Sequence, residues 1–221
     1  MTSRRPGVDR EHPIGGEMAD VLRGLLVHVR LSSLTARYNS IPVLAVFSFI
    51  NGCISIGIMS LAALVTSQPM VFPSLGPTAF LCFYTPTAAT ASPRNTIIGH
   101  AVGAAAGWLC LVAFGLQHVG PALAVGVTWP RVLAAALSLG LTSGLMVLLK
   151  APHPPAGATT LIISLGLLRD MDQVAVLMLA VVLLVCQAII INRLAGIRYP
   201  LWAEKASAES PETQRSPAAV P

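Results

Sequence analysis

The chain has 221 residues, of which 54% are hydrophobic and only 10% charged, and its mean hydropathy is +0.73. A soluble domain carries about a quarter charged residues, so this composition cannot supply the polar surface that water requires and belongs to the membrane class. The formal charge of +5 comes from Lys and Arg at segment edges and in the tails; that is the pattern of topogenic charge, and nucleic acid is not an expected partner. Few aromatics and abundant Leu, Ala, Val, Ile and Gly favour packed helices over a barrel, whose strands would alternate and whose rims would carry aromatic girdles.

Residues 1–17 are polar, rich in Pro, Gly and Arg, and read as disordered. Met18, Val21, Leu22, Leu25, Leu26 and Val29 fall at helical spacing, with Arg23, His28 and Arg30 around the turn. They predict an amphipathic helix over about 18–37, lying on the cytoplasmic leaflet or packed on its own membrane domain. No cleavable signal peptide is apparent: the first forty residues are polar, and the first apolar run, Ile41 to Val65, is long enough to stay in the membrane. The expected domains are a cytoplasmic tail 1–40, a transmembrane domain 41–200 and a disordered tail 201–221 rich in Ala, Ser, Pro and Glu.

Four segments qualify as spanning helices, roughly 41–67, 95–116, 131–149 and 173–192. Two apolar stretches remain, 70–84 and 151–168, each too short or too interrupted by Pro and Gly to be an ordinary span. Both contain Pro-x-x-Gly-x-Thr, as Pro73, Gly76, Thr78 and as Pro154, Gly157, Thr159, at a constant offset of 81 residues. The fold class expected is therefore an all-α membrane protein with four long transmembrane helices plus two short broken membrane segments. Their order is compatible with two inverted helix–broken helix–helix repeats, a transporter plan in which interrupted segments mark the binding site. Charge favours six crossings over four. With six, Arg94 and Lys150 fall on the side of both termini, and 117–130 and the net negative Arg169–Asp172 loop fall outside.

Between Asp20 and Asp170 there is no Asp or Glu, while seven Arg or Lys remain. A cation path would normally be lined with carboxylates, so the pattern suits an anion. Pro154 and Pro155 should open a short helix over about 155–167, whose free first-turn amides, with His153 before them, would attract an anion. Pro73-Ser74-Leu75-Gly76-Pro77-Thr78 would do the same, with Ser74 as a cap. The substrate-binding candidates are His153, Pro154, Pro155, Gly157, Thr159, Ser74, Gly76, Thr78, His100 and Arg94. Gly99, Gly103 and Gly107 form a stripe for close helix approach. Arg131, after Trp129-Pro130, reads as an interfacial anchor, and Asn51 as a bond to a neighbouring helix or a pathway lining. Cys53, Cys82, Cys110 and Cys186 form no CxxC pair and read as small buried hydrophobes. Enzymatic signatures such as HExxH, GxSxG, the Walker loop or GxGxxG are missing. His100 and His153 without thiolate or carboxylate make a poor metal set, so neither catalysis nor a cofactor or metal is expected.

His153-Pro154-Pro155 followed by Ala156-Gly157-Ala158, the Pro73-Ser74-Leu75-Gly76 element with Phe80 and Phe83, and Ser92-Pro93-Arg94-Asn95 leading to Gly99-His100 together resemble the HPP family of integral membrane proteins. The resemblance covers roughly 40–195. It implies four membrane spans and, through members similar to nitrite transporters of chloroplasts and cyanobacteria, transport of a small inorganic anion with nitrite as first candidate. Some members carry an appended CBS domain, for which this chain has no room. Short polar tails without a recognisable transit peptide point to a cell inner membrane, multi-pass, with both termini cytoplasmic. The expected partners are the anion and the lipid bilayer, with a homo-oligomer left open. The alternative reading is a non-transporting scaffold that organises partner proteins through the 18–37 helix.

Overall fold

The computed structural model describes residues 31–203, with eight helices and no strand among them. They are α1 (Leu31–Arg37), α2 (Ser40–Thr66), α3 (Leu75–Tyr84), α4 (Pro93–Ala113), α5 (Ala122–Val125), α6 (Trp129–Leu148), α7 (Ala156–Ser164) and α8 (Met171–Leu194). Four of these, α2, α4, α6 and α8, are long and apolar enough to cross a membrane. The chain is a multi-pass membrane protein. Of the amphipathic helix expected over 18–37, residues 31–37 are helical as α1, and 18–30 lie outside the described residues, as does most of the 201–221 tail.

Local chemistry sets the helix boundaries. Ser92 opens α4 by accepting the Asn95 amide on its hydroxyl, with Pro93 in the first turn, where a missing N–H costs nothing. Asp170 and Gln173 form a reciprocal capping box at the start of α8. Helix α7 ends at Ser164, short of the expected 167, because Gly166 turns left-handed at φ +82. The Gly166 and Leu167 amides then bond back to Ile163 O and Ile162 O, closing the last turn. Lys150 makes the same left-handed turn after α6 at φ +50 without being glycine, and the Lys150 and Ala151 amides close it onto Val147 O and Met146 O.

Hydrogen bonds place the helix ends at two opposite ends of the bundle. At one end the Arg94 guanidinium donates to Leu149 O and Lys150 O, the Arg94 amide to Trp202 O, and the Leu31 amide to Ala195 O. Phe47 of α2 meets Phe83 of α3 edge-on at 6.4 Å there, and Asn192 Nδ2 donates to Cys82 O. At the other end Arg131 donates to Ser164 O and Gly120 O, the Ala122 amide to Leu165 O, and Arg169 to Val119 O. The starts of α2 and α4 therefore share an end with the ends of α6 and α8. The 67–92 and 149–170 segments must each carry the chain back through the bundle.

Each return is made by an extended stretch followed by a short helix. Ten residues of α3 span about 15 Å, roughly half a bilayer core. Helix α3 runs from the interior toward the Arg94 end, and α7 from the interior toward the Arg131 end. Their N-terminal ends thus both lie inside the bundle. Helix α3 packs on α2 and α8, while α7 packs on α6 and α4.

This arrangement predicts the outcome of one-cysteine labelling in a variant whose four native cysteines are replaced by Ala. Tyr38→Cys and Lys150→Cys should be modified by a membrane-impermeant maleimide from one side, and His118→Cys from the other. Labelling of Lys150→Cys from the His118 side would make 149–170 a re-entrant hairpin and contradict the traced path.

Candidate functional site

The glycine stripe of α4 builds the site. A Cβ on Gly99 would stand 2.7 Å from His153 Cβ, one on Gly103 2.6 Å from Ala156 O, and one on Gly107 2.8 Å from Thr160 O. Only hydrogen fits, so α7 and the His153 turn lie directly against the α4 backbone. The close approach brings His153 over the face of α4 that carries His100. The two rings are tilted at 56° with centroids 4.9 Å apart, and both side chains are fully buried.

Each imidazole nitrogen has a partner. His100 Nδ1 lies 2.7 Å from Thr159 Oγ1 of α7, and His100 Nε2 lies 3.0 Å from Thr78 Oγ1 of α3. The two threonines that occupy equivalent places in the Pro-x-x-Gly-x-Thr elements therefore grip the same ring from either side. His153 Nδ1 is 2.7 Å from Thr90 O, with Thr96 Oγ1 at 3.5 Å. His153 Nε2 is 3.3 Å from Thr78 Oγ1 and 3.2 Å from His100 Nε2. Thr78, Thr96 and Thr159 are all fully buried. A second polar pair, Thr142 to Thr160 at 2.7 Å, continues the polar line between α6 and α7.

None of the buried polar residues among those described is Asp, Glu or Lys. The histidine cluster thus holds hydroxyls and imidazoles, with no fixed negative charge nearby among the described residues to repel an anion. Two imidazole nitrogens converge at the pair, and among the described residues no group of three His, Cys, Asp or Glu stands close enough to hold a metal.

The structure brings His100, His153, Thr78 and Thr159 together and places the other candidates around them. The free amides expected at the start of α7 are not free. The Ala156, Gly157 and Ala158 amides donate to His153 O, Pro154 O and Pro155 O, because the two prolines start a tight turn whose carbonyls stand three residues back. Pro154, Pro155 and Gly157 shape this turn and do not leave donors open. Ser74 sits at the start of α3 but does not cap it; its hydroxyl is fully buried and has no hydrogen-bond partner, while its carbonyl accepts from Thr78. Gly76 has open space where a Cβ would stand. Arg94 is turned to the carbonyls ending α6 and lies in the bundle's end, not in the histidine cluster.

Three further expectations change. Arg131 is 1% exposed and does not anchor in the interface. Its guanidinium ties the last carbonyl of α7 to the Gly120 loop, where the negative end of the helix dipole favours a cation. Asn51 bonds its own helix through Phe47 O, not a neighbour. Cys82 and Cys110 are buried, but Cys53 and Cys186 are on the outer surface. An apolar groove of about 770 Å³ between α1, α2 and α8 includes Asn51 and none of the histidine-cluster residues. Sequence reasoning missed Thr96 and Thr160. Thr96 stands one turn before His100 on the same helix face, and Thr160 adjoins Thr159, so helical spacing was the available signal.

Four substitutions test this packing through unfolding temperature in detergent. Gly103→Ala should destabilise by about 1–3 kcal/mol, the usual cost of overpacking, whereas Gly140→Ala, where a Cβ meets nothing within 4 Å, should be neutral or mildly stabilising. Arg131→Met should cost about 1–3 kcal/mol for each buried carbonyl left unpaired, and Arg131→Lys should restore only part of it because the ammonium lacks the guanidinium fork. Equal stability of the two glycine variants, or a silent Arg131→Met, would contradict the geometry.

A family model described as HPP, transmembrane region, matches residues 38–200. No curated protein and no solved structure matches. The matched stretch takes in every long helix, both broken elements and the histidine pair, and the chain belongs to the HPP family.

Proposed function

We propose that this protein is a transporter or channel for a small inorganic anion. The observation that carries the reading is the His100–His153 pair, held by Thr78 and Thr159 where two short helices start inside a membrane bundle that has no buried carboxylate among its described residues. Hydroxyl and imidazole donors recognise an anion, and the N-terminal ends of α3 and α7 add positive dipole ends on that region. The unpartnered Ser74 hydroxyl at the start of α3 is a further donor. Nitrite is the first substrate to test, because the family resemblance implies it. Nothing in this reading calls for bond-making chemistry or a cofactor, and we read the protein as a non-enzyme.

The pairing of α3 with α2 and α8, and of α7 with α6 and α4, supports two inverted units whose third helices exchange partners. Rocking of one unit against the other would open the buried pair to alternate sides. Orientation follows from charge. The end with Arg94 also carries Lys150, Arg193 and Arg198, and Arg37 precedes α2 there, with no acid among the described residues of that end. The opposite end carries Arg131 and Arg169 against Asp170 and Asp172. By the positive-inside rule we read the Arg94 end as cytoplasmic, with both termini inside, and the short polar tails support a cell inner membrane.

Purified protein in proteoliposomes should pass nitrite faster than empty vesicles. Thr159→Val and His153→Ala should each lower that flux by about tenfold or more, since a hydrogen bond to a charged group is worth about 1.5–3 kcal/mol. No flux of nitrite, nitrate or chloride above empty vesicles would end the proposal.

A further inference from the structure

The hydrogen bonds around the two rings fix where the protons are. Thr78 Oγ1 lies 2.9 Å from Ser74 O, an acceptor only, so its proton is committed there and its lone pairs face the histidines. His153 Nδ1 lies 2.7 Å from Thr90 O, also an acceptor only, so Nδ1 carries the His153 proton and Nε2 carries a lone pair. His100 Nε2 then faces two acceptors, Thr78 Oγ1 at 3.0 Å and His153 Nε2 at 3.2 Å, and must be the protonated nitrogen of its ring. His100 Nδ1 accepts the Thr159 hydroxyl at 2.7 Å. Each ring then carries one proton and no net charge, and every close contact has a proton except Thr78 Oγ1 to His153 Nε2 at 3.3 Å, where two acceptors flank the His100 N–H.

One more proton has a defined place, and a second has none. If the His100 proton sits on Nδ1 and donates to Thr159 Oγ1, with the Thr159 hydroxyl rotated away, His100 Nε2 offers a lone pair to the lone pair of His153 Nε2. A single added proton then lies between the two Nε2 atoms and bonds both. A second proton would set two N–H groups against each other across 3.2 Å. The pair is therefore a one-proton site.

Once protonated, the pair carries a full positive charge in the bundle, and no group there neutralises it. Helix α3 faces it with Thr78 and, a turn on, the Cys82 thiol, which lies beside Tyr199. Helix α4 contributes Thr96 nearby; Arg94, at its start, is engaged with Leu149 O and Lys150 O, and the Cys110 thiol is about three turns beyond His100. Helix α6 brings Thr142 through Thr160 and, at the far end, Arg131. Helix α7 brings Thr159, and the buried polar residues of α8 are the uncharged Gln187 and Asn192, the latter bonded to Cys82 O. There is no carboxylate from residue 31 to residue 169. An uncompensated charge buried in this way is costly, so proton and counter-ion must arrive together.

We infer that the His100–His153 pair binds one proton for each anion bound, so that the protein carries anion and proton together as an electrically neutral couple. This inference rests on the anion reading above and adds the proton as second cargo. By linkage, an anion that takes up one proton on binding loses affinity about tenfold for each pH unit above the titration of the free pair, and the anion in turn favours protonation by the same factor.

Isothermal titration of nitrite into the full-length protein in detergent, in two zwitterionic buffers of different ionisation enthalpy, counts the protons directly. The expected result is one proton taken up per nitrite, a dissociation constant rising about tenfold per pH unit, and loss of the proton uptake in His153→Gln. Nitrite binding with no proton uptake, or with uptake retained in His153→Gln, overturns the inference and leaves the anion reading standing. Absence of nitrite binding at every pH overturns both. The wild-type proton count decides the matter even if His153→Gln does not fold.

Discussion

A polar ring buried in a membrane interior must have its nitrogens satisfied by the protein, because no water is at hand and each unpaired group costs several kcal/mol on the order expected for transfer to hydrocarbon. His100 and His153 meet that demand with hydroxyls and one backbone carbonyl, and the rest of the bundle is arranged so that those partners can reach them. Thr78 reaches His100 only because α3 starts inside the bundle. Thr159 reaches the other nitrogen only because α7 lies against the α4 backbone at Gly99, Gly103 and Gly107. Thr90 O reaches His153 because the chain pauses in a short turn before Ser92 opens α4. Removing the glycine stripe, either broken helix or the Thr90 turn would leave a ring nitrogen without a partner.

Breaking two helices inside the bundle creates a second debt, since each extra helix end exposes carbonyls that lipid cannot satisfy. The fold answers with side chains from the long helices. Arg131 takes Ser164 O at the end of α7, Asn192 takes Cys82 O near the end of α3, and Arg94 takes Leu149 O and Lys150 O after α6. Tyr199 adds a bond from its hydroxyl to Ala91 O at 2.6 Å, and burial holds its phenol well above the ordinary range, so it stays a donor. Among the described basic residues of the acid-free stretch, Arg94, Arg131 and Arg169 hold helix ends and loops together at the two ends of the bundle and do not form a positive tunnel.

The sequence made the four long helices and the two broken elements legible, because apolar length and Pro-Gly interruption are strong one-dimensional signals. The offset of 81 residues singled out Thr78 and Thr159 as equivalent, and they are the two groups that clasp His100. The glycine stripe was legible as a contact surface, though not which helix it would meet. Three features were not legible because they depend on distant chain segments. Whether the amides after Pro155 are free depends on the turn geometry, and they close on His153 O, Pro154 O and Pro155 O. Arg131 looks like an interfacial anchor in its local context of Trp129-Pro130, and only the return of α7 gives it Ser164 O. Arg94 likewise finds its acceptors 55 and 56 residues away, a pairing that periodicity does not reveal.

The central claim is that the two rings form one hydrogen-bonded unit with opposite tautomers. Nitrogen-15 spectra of histidine-labelled protein in lipid nanodiscs at neutral pH, assigned through His100→Gln and His153→Gln, measure this directly. The account predicts His153 protonated on Nδ1 and His100 protonated on Nε2, with neither ring charged in the absence of an anion. Two rings of the same tautomer, or a ring that is an imidazolium under those conditions, would contradict it.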